Sequence, residues 1–446
     1  MSENNAPTLL QRFFKWLAGV EPHELNAVLL SMLYFFFLFG SYSVVKPVRD
    51  AMGTVYGVKH LNELFLGTFI GTLVLAPIYA GMASRLKLSN FLPWVYGFIA
   101  LSILGFYALF SGGKLSDRFV AAGFYIWVSV FNMLIISVFW SFMADIFSRT
   151  QAKRLFGFIA AGGTVGGIAG PAIATFLAKS VGNNGLMLIS AAGFIVTAFL
   201  VKFLAKERDK LVAASGTEAQ RTDINHRLGG TNPLDGFILL LKSPYLMLIA
   251  GFLFLMTSIS TIVYTQLGDL ITKAFTDHNA RTQAYATIEL AVNSLAVVIQ
   301  LIGTGRIIKR FGVTVGLMLN PVIMVFAFLA IAFSPVLLIL GSLQVLRRVA
   351  EYAVAKPTRE MLFTVVDQES KYKAKNVIDT VVYRGGDLVA SFASVGVLRS
   401  FGDVGLAVLG IGVSLIWFPI AWVLGRRYER ARGAEGVNAV PAPVGH

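Results

Sequence analysis

The chain has 446 residues, of which 56% are hydrophobic and only 14% are charged, and its mean hydropathy is +0.70. A water-soluble domain needs roughly 25% charged residues to cover its surface, so this composition predicts a protein that crosses the membrane many times. The chain contains no cysteine, and its five histidines are scattered without metal-ligand spacing. These counts exclude disulfide and thiolate chemistry, and they predict neither a metal site nor a cofactor.

The N-terminal segment, residues 1–26, has no cleavable signal pattern. Its sequence "LLQRFFKWL", from Leu9 to Leu17, predicts an amphipathic helix that lies on the cytoplasmic membrane surface as an anchor. The first long apolar stretch begins directly after this segment.

Apolar stretches long enough to span the bilayer follow one another along the rest of the chain. We count twelve, near residues 27–46, 62–83, 91–110, 120–144, 156–177, 186–204, 245–268, 284–304, 313–333, 338–365, 376–398 and 404–425. Of the 38 Lys and Arg residues, 24 lie on the side of the N-terminus, 9 on the opposite side and 5 inside spans. We therefore predict an all-α membrane protein with both termini in the cytoplasm. The net charge of +14 then reflects topology and attraction to anionic lipid rather than nucleic-acid binding.

An internal repeat divides these spans into two sets of six. Asp145 and Lys153 follow the fourth span, and Asp367 and Lys375 stand in the same relation to the tenth, so we expect gating or structural roles at these four positions. A parallel repeat with the substrate site at the interface near the midplane is the major-facilitator arrangement. We therefore predict a bundle at 27–204, a cytoplasmic linker at 205–242, a second bundle at 243–425 and a cytoplasmic tail at 426–446.

The repeat places the end of the tenth span just before Asp367, so one predicted helix, Leu338 to Val365, contains six charged side chains. A charge near the bilayer centre costs about 2.5–3.5 kcal/mol on insertion scales, so these side chains should face a polar cavity or one another. They are Arg347, Arg348, Glu351, Lys356, Arg359 and Glu360. The alternative ends the helix at Val349 and places Pro357 in a loop.

Helical geometry separates the six charges into groups. Arg348 and Arg359 share one line of the helix and form the best candidate pair for a ligand. Two pairs at i,i+4 spacing, Arg347–Glu351 and Lys356–Glu360, either neutralise each other as internal ion pairs or contact the substrate. Arginine forks favour phosphate or carboxylate, so an anionic solute is the favoured substrate.

Further charges lie at the end of the first span and in the eleventh. Lys46, Arg49 and Asp50 belong to "KPVRD", where they either contact substrate or reach towards the membrane surface. In the eleventh span, Arg384 and Asp387 are three residues apart and either bind substrate or pair with each other.

Glu289 is the single carboxylate of the eighth span. It is a proton-coupling candidate, and the equally plausible alternative is an ion pair with a base from another helix. The glycine-rich fifth span, from Gly157 to Gly170, predicts close helix packing rather than a phosphate-binding loop, because no strand precedes it.

The stretch "EYAVAKPTREMLFTVVDQESKYKAKNVIDTV", from Glu351 to Val381, resembles the signature region of the ATP/ADP translocase family of plastids and intracellular bacteria. The family's P-T-K-E-M element is similar to residues 357–361, with Arg359 for Lys. Its K-x-K-x-K element is similar to residues 371–375. Where the family has a Lys near the second span, this chain has Gly67. The resemblance implies a twelve-helix, major-facilitator-like nucleotide exchanger, and it implies a substrate site at Lys46, Arg49, Asp50, Arg359 and Glu360.

We therefore expect a secondary transporter in the bacterial inner membrane that moves an organic anion, such as a nucleotide or another phosphorylated metabolite, by alternating access. The alternative is a proton-coupled transporter of another solute or an amphiphile, with Glu289 as the proton carrier. No nucleophile–base constellation appears, so we expect no enzymatic activity. We expect the lipid bilayer and a small-molecule substrate as partners, no nucleic acid, and a monomer.

Overall fold

The computed structural model describes residues 20–85, 88–113, 117–215, 235–366, 373–375 and 377–438. These residues are almost entirely helical, and none of them lies in a strand. The predicted amphipathic helix Leu9–Leu17, Asp367, the middle of the linker and the last residues of the tail fall outside the described residues.

Helices follow one another along the described residues. They are α1 (Leu25–Tyr56), α2 (Leu61–Arg85), α3 (Leu88–Ser111), α4 (Arg118–Ile146), α5 (Arg149–Ser215), α6 (Asp235–Lys242), α7 (Pro244–Ala274), α8 (His278–Ile302), α9 (Thr304–Phe333), α10 (Leu337–Ala350), α11 (Lys356–Leu362) and α12 (Tyr383–Asn438). Short 3₁₀ turns occupy Val58–His60 and Phe363–Val365, and π-helical turns occupy Glu351–Ala355 and Ile378–Val382. In the described part of the chain, eight helices are long and apolar enough to cross a membrane.

Three of these helices are interrupted by a glycine in the left-handed region. The φ angles are 68° at Gly182 in α5, 80° at Gly312 in α9 and 64° at Gly402 in α12. Glycine adopts such angles without the steric cost that a Cβ atom would impose, so the chain can change direction there. Residues 149–181 and 183–215 of α5 are therefore two helices joined at Gly182.

The described residues fall into two compact units. The first contains those up to Val55, those of Ile70–Gly229 and those of Asp277–Leu290, and the second contains the remainder. The boundary between the units therefore falls inside α2 and inside α8, between Leu290 and Ala291. Tyr56–Phe69, from the first half of the chain, therefore belongs to the second unit, and Asp277–Leu290, from the second half, belongs to the first. The bundle limits 27–204 and 243–425 stay a prediction.

The first unit is held together by aromatic packing and by a glycine face. The rings of Phe35 and Phe139 stack with centroids 4.0 Å apart. The glycines of α5 lie directly against the backbone of α1, where a Cβ at Gly162 would meet the carbonyl of Met32 and one at Gly166 that of Phe36. This is the close helix packing that the glycine-rich sequence predicts.

In the second unit, α7 and α9 pack along α12. The residues from Leu337 to Val365, which we call the charged helix, form one continuous helix in the order α10, π turn, α11 and 3₁₀ turn. It ends at Val365 as predicted, and it does not end at Val349 as in the alternative. Pro357 has no N–H to donate to the preceding turn. The wider π turn directly before it lets the helix continue.

Candidate functional site

Near the end of α1, Arg49 is held by a carboxylate and a ring of the first unit. Its Nη2 lies 2.5 Å and its Nε 3.0 Å from Oδ1 of Asp50. Nη1 donates to the Ser129 hydroxyl at 3.4 Å, and the guanidinium lies 5.3 Å from the ring centre of Tyr125. Asp50 is 3% exposed. The carboxylate therefore fixes the position of the guanidinium.

Lys46 is paired with a carboxylate from α8. Its Nζ lies 2.7 Å from Oε2 of Glu289. Glu289 thus forms the ion pair with another helix that the sequence left open as one of two possibilities. Tyr285 lies one helical turn before Glu289 on α8 and is buried. Arg281 lies two turns before Glu289 and donates to the Thr54 hydroxyl at 3.1 Å.

Sequence reasoning missed Tyr125, Arg281 and Tyr285. The spacing of Arg281, Tyr285 and Glu289, four residues apart, places all three on one face of α8. That spacing is the signal in the sequence that could have identified Arg281 and Tyr285.

In the charged helix, Arg347 is surrounded by protein groups. It donates to the Gln344 side chain at 3.0 Å, to the Ser260 hydroxyl at 2.7 Å and to Glu351 at 2.9 Å. The Arg347–Glu351 ion pair that the i,i+4 spacing predicts is therefore present, and both side chains are buried.

Arg348 lies beside an aromatic ring of the same helix. Its Nη2 donates to the Tyr352 hydroxyl at 2.8 Å. Lys356 lies over the Tyr352 ring, 4.1 Å from its centre, and 3.8 Å from Glu351. Arg348, Tyr352 and Lys356 are four residues apart, so the two bases share one helix face with the aromatic ring between them.

At the end of the charged helix, two bases and two acids form a compact cluster. Arg359 lies 3.0 Å from Glu360 and 3.3 Å from Asp379, and Lys375 pairs with Glu360. Glu360 therefore contacts Arg359 and Lys375, whereas Lys356 contacts Glu351. The Lys356–Glu360 pair that the i,i+4 spacing suggested is not among the ion pairs of the residues described.

In α12, Arg384 lies 3.5 Å from Asp387, which accepts a hydrogen bond from Thr261 of α7 at 3.0 Å. The two residues pair as their spacing allows.

The predicted gating positions occupy the helix ends, with Asp145 in the last turn of α4 and Lys153, which is exposed, in the first turns of α5. The more buried contact there is one that sequence reasoning missed. Glu24, 2% exposed, accepts hydrogen bonds from Arg154 at 2.7 Å and from Gln151 at 2.8 Å. Burial raises the pKa of Glu24, but the Glu21 amide, Arg154 and Gln151 outweigh it and hold the pKa below its usual value.

These clusters combine Arg and Lys side chains with carboxylates. Among the residues described, no group of three or more His, Asp or Glu side chains could hold a metal ion. Carboxylates lie beside several of these bases, within ion-pair distance.

The family model described as TLC ATP/ADP transporter matches residues 117–428 of this sequence. The chain belongs to this family. Similar curated proteins include "ADP,ATP carrier protein 1" of Chlamydia muridarum, which is 24% identical with 95% of this chain and 92% of that protein covered. The protein of the same name from Chlamydia trachomatis is 23% identical, with the same coverage of both chains.

Solved transporters share the fold of this TLC-family chain. A bacterial homologue of the iron transporter ferroportin, in an inward-facing state, has a TM-score of 0.60 with 14% identity, and the match covers 88% of this chain and 98% of that one. The nucleoside transporter NupG has a TM-score of 0.53 with 16% identity, covering 92% and 99%.

Family membership and fold together confirm several predictions. The chain is a transporter with a major-facilitator-like helical fold, and it is a multi-pass protein of a bacterial membrane. It belongs to a family of carriers and not of enzymes. The resemblance seen in the stretch from Glu351 to Val381 is confirmed.

Proposed function

We propose that this TLC-family transporter exchanges nucleotides, ADP for ATP, by alternating access. The observation that carries the proposal is the set of bases held inside apolar helices of both units. They are Lys46, Arg49, Arg348, Lys356, Arg359 and Arg384. Each such charge is costly in a membrane protein unless a ligand or a partner compensates it. The relatives named ADP,ATP carrier proteins cover 95% of the chain and support a nucleotide as that ligand.

In this proposal the bases bind phosphate oxygens and the acids position them. Arg49, Arg348 and Arg359 provide planar forks that match phosphate geometry, and Lys46 and Lys356 contribute point charges. The acids Asp50, Glu351, Glu360 and Asp387 each lie beside one of these bases and hold it in place.

We also propose twelve membrane spans with both termini in the cytoplasm, and a monomer. Eight helices qualify by length and composition, and Gly182 and Gly402 divide two of those into halves that are each long enough to span. Helix α2 and the charged helix supply the other two spans. The proposed bundles are residues 27–204 and 243–425.

Uptake of labelled ADP into proteoliposomes tests the proposal. Uptake should require ATP or ADP inside the vesicle, and it should not require a pH gradient. Nucleotide-independent uptake of another solute that follows a pH gradient would support the proton-coupled alternative and contradict exchange.

The substitution Arg359→Gln should raise KM for ADP about tenfold or more, because a lost charge-assisted contact of about 1.5–3 kcal/mol corresponds to a factor of ten or more. Arg310→Gln is the matched control, because Arg310 is an exposed base of α9. Equal KM values for the two variants would show that Arg359 does not contact the substrate.

A further inference from the structure

Helix α6 is a short helix of the second unit that leads directly into α7. A single residue, Ser243, separates the two helices, and α7 is long and apolar enough to cross a membrane. The Ser243 amide donates to the Leu239 carbonyl at 3.2 Å, and the Ser243 hydroxyl accepts from the Leu246 amide at 3.3 Å. These bonds cap α7 and fix the direction in which α6 joins it.

One side of α6 packs on residues 373–375 and 377–379, which we call the post-helix segment because they follow the charged helix. A Cβ at Gly236 would lie 2.7 Å from the Lys373 carbonyl oxygen and 2.7 Å from a methyl group of Val377. Leu240, one turn after Gly236, is buried. Any side chain at position 236 would therefore push α6 and the post-helix segment apart.

The post-helix segment contacts the end of the charged helix on its other side. Lys375 pairs with Glu360, and Asp379 lies 3.3 Å from Arg359.

Helical geometry explains how the segment contacts both neighbours. Lys375 lies two residues after Lys373, and Asp379 lies two residues after Val377. At 100° per residue, two residues turn a side chain by about 200°, so the two pairs point to opposite sides. The post-helix segment therefore lies between α6 and the charged helix, and α6 supports it from behind.

A further side of α6 is apolar and exposed. Phe237, Ile238 and Leu241 are 37%, 44% and 69% exposed, and at 100° per residue they fall within an arc of about 100°. We call these three side chains the apolar face of α6. Met247, near the start of α7, is also exposed. Exposed apolar side chains thus occur on both sides of the junction between α6 and the membrane helix α7.

We propose that the apolar face of α6 binds the phospholipid surface of the bilayer, and that α6 thereby holds the post-helix segment against Arg359 and Glu360. The exposed side chains of a helix that crosses the membrane contact acyl chains. The apolar face lies next to that surface, because one residue separates α6 from α7. A helix with a wide apolar arc lies in the plane of the membrane surface, with that arc at the boundary between headgroups and acyl chains.

The support matters for the site at the end of the charged helix. Helix α6 is fixed between the lipid and the post-helix segment, so the bilayer surface keeps Lys375 and Asp379 in contact with Glu360 and Arg359. The importance of this support for transport rests on the proposed binding of nucleotide by Arg359. The lipid contact itself does not depend on the identity of the substrate.

Fluorescence quenching tests the lipid contact, because the chain has no cysteine of its own. Leu241→Cys is labelled with bimane and placed in vesicles of phosphatidylethanolamine and phosphatidylglycerol, with or without a nitroxide-labelled phosphatidylcholine. The control is the same label at Lys242→Cys, an exposed position that is turned by 100° from Leu241. The lipid nitroxide should quench the label at position 241 about threefold more strongly than the label at position 242.

Iodide dissolved in the water should quench the two labels in the reverse order. Equal quenching of both labels by the lipid nitroxide would overturn the proposal. So would a label at position 241 that neither quencher reaches, because protein would then cover the apolar face. These measurements use the native Gly236 and do not depend on a packing variant that folds.

Thiol labelling tests the contact between α6 and the post-helix segment. Val377→Cys places a thiol where the native side chain is 7% exposed. A water-soluble thiol reagent should label it about tenfold faster when Gly236→Ala is added, because the new Cβ has no room beside the Lys373 carbonyl. Gly251→Ala is the matched control, since a Cβ at that position of α7 meets no atom within 4 Å. Equal labelling rates with Gly236→Ala and Gly251→Ala would overturn the packing.

Transport kinetics test the supporting role of Gly236. Gly236→Ala should raise KM for labelled ADP about threefold and leave kcat within about twofold, because Arg359 is less firmly positioned for binding. Gly251→Ala should change neither constant, and an unchanged KM in Gly236→Ala would overturn the supporting role. A protein that takes up no nucleotide would refute the proposed exchange. The quenching and labelling results would still decide the lipid contact and the packing of α6.

Discussion

Replacing Arg347 with methionine would measure what the buried ion pair of the charged helix contributes to stability. The guanidinium has three partners, the Gln344 side chain, the Ser260 hydroxyl and the Glu351 carboxylate, at 3.0, 2.7 and 2.9 Å. The arginine and glutamate side chains are 5% and 8% exposed, so water cannot replace the lost contacts.

Removing one partner of a buried pair costs about 3–5 kcal/mol, because the other charge remains buried without compensation. Lys356 lies 3.8 Å from Glu351 and compensates part of that charge. We therefore expect the free energy of unfolding to fall by about 3 kcal/mol, at the lower end of that range. The double variant Arg347→Met/Glu351→Met removes both charges, and it should lie within about 1 kcal/mol of the parent, since buried pairs replaced by apolar side chains are often neutral.

The assay is unfolding in mixed detergent micelles, with Arg310→Met as an exposed control that should change stability by less than about 0.5 kcal/mol. With Glu351→Met as the other single variant, the coupling energy of the cycle should be at least about 2 kcal/mol in favour of the pair. A double variant that is less stable than Arg347→Met would refute the reasoning, because it would show that the Glu351 carboxylate left by Arg347→Met is not an uncompensated charge.

Two other variants test packing and charge in the first unit. Gly166→Ala should lower the free energy of unfolding by about 1–3 kcal/mol, because its Cβ would meet the Phe36 carbonyl. Gly97→Ala is the control and should not lower it, because a Cβ there has open space. Equal melting temperatures for the two variants would contradict this packing. Glu24→Gln should destabilise the protein at pH 7 by about 1.5–3 kcal/mol, since Arg154 loses its carboxylate partner. The folded-state pKa of Glu24 lies below its ordinary value of 4.5, so its contribution is present above that pH and is lost as the pH falls below it. The melting temperatures of variant and parent should converge in acid, and a difference that persists there would show that Glu24 acts through its shape.

The distribution of charge along the chain suggests how this transporter tolerates bases inside a membrane. Arg49 has Asp50 beside it, Lys356 has Glu351, and Arg384 has Asp387. In each case the carboxylate comes from the same helix and lies within one or two turns, so the helix carries its own compensation. Lys46 is different, because its partner Glu289 comes from another helix.

The helical architecture and the family could be predicted from the sequence, because both depend on local pattern. Apolar runs identified the helices, and the internal repeat placed the end of the charged helix at Val365, where it is found. The motif from Pro357 to Met361 identified the family without any knowledge of contacts. Pairs within one helix, such as Arg347–Glu351, were also predictable because helical geometry alone brings residues four apart together.

Contacts between helices could be settled only by the tertiary structure. The sequence left Glu289 as either a proton carrier or a partner for a base on another helix, and only the packing of α8 on α1 places it 2.7 Å from Lys46. For the same reason only the tertiary structure shows that Glu360 contacts Lys375 rather than Lys356. Hydropathy and helical period are properties of neighbouring residues along the chain. The partner of a buried charge depends instead on the rotation and register of two packed helices, which no single segment encodes.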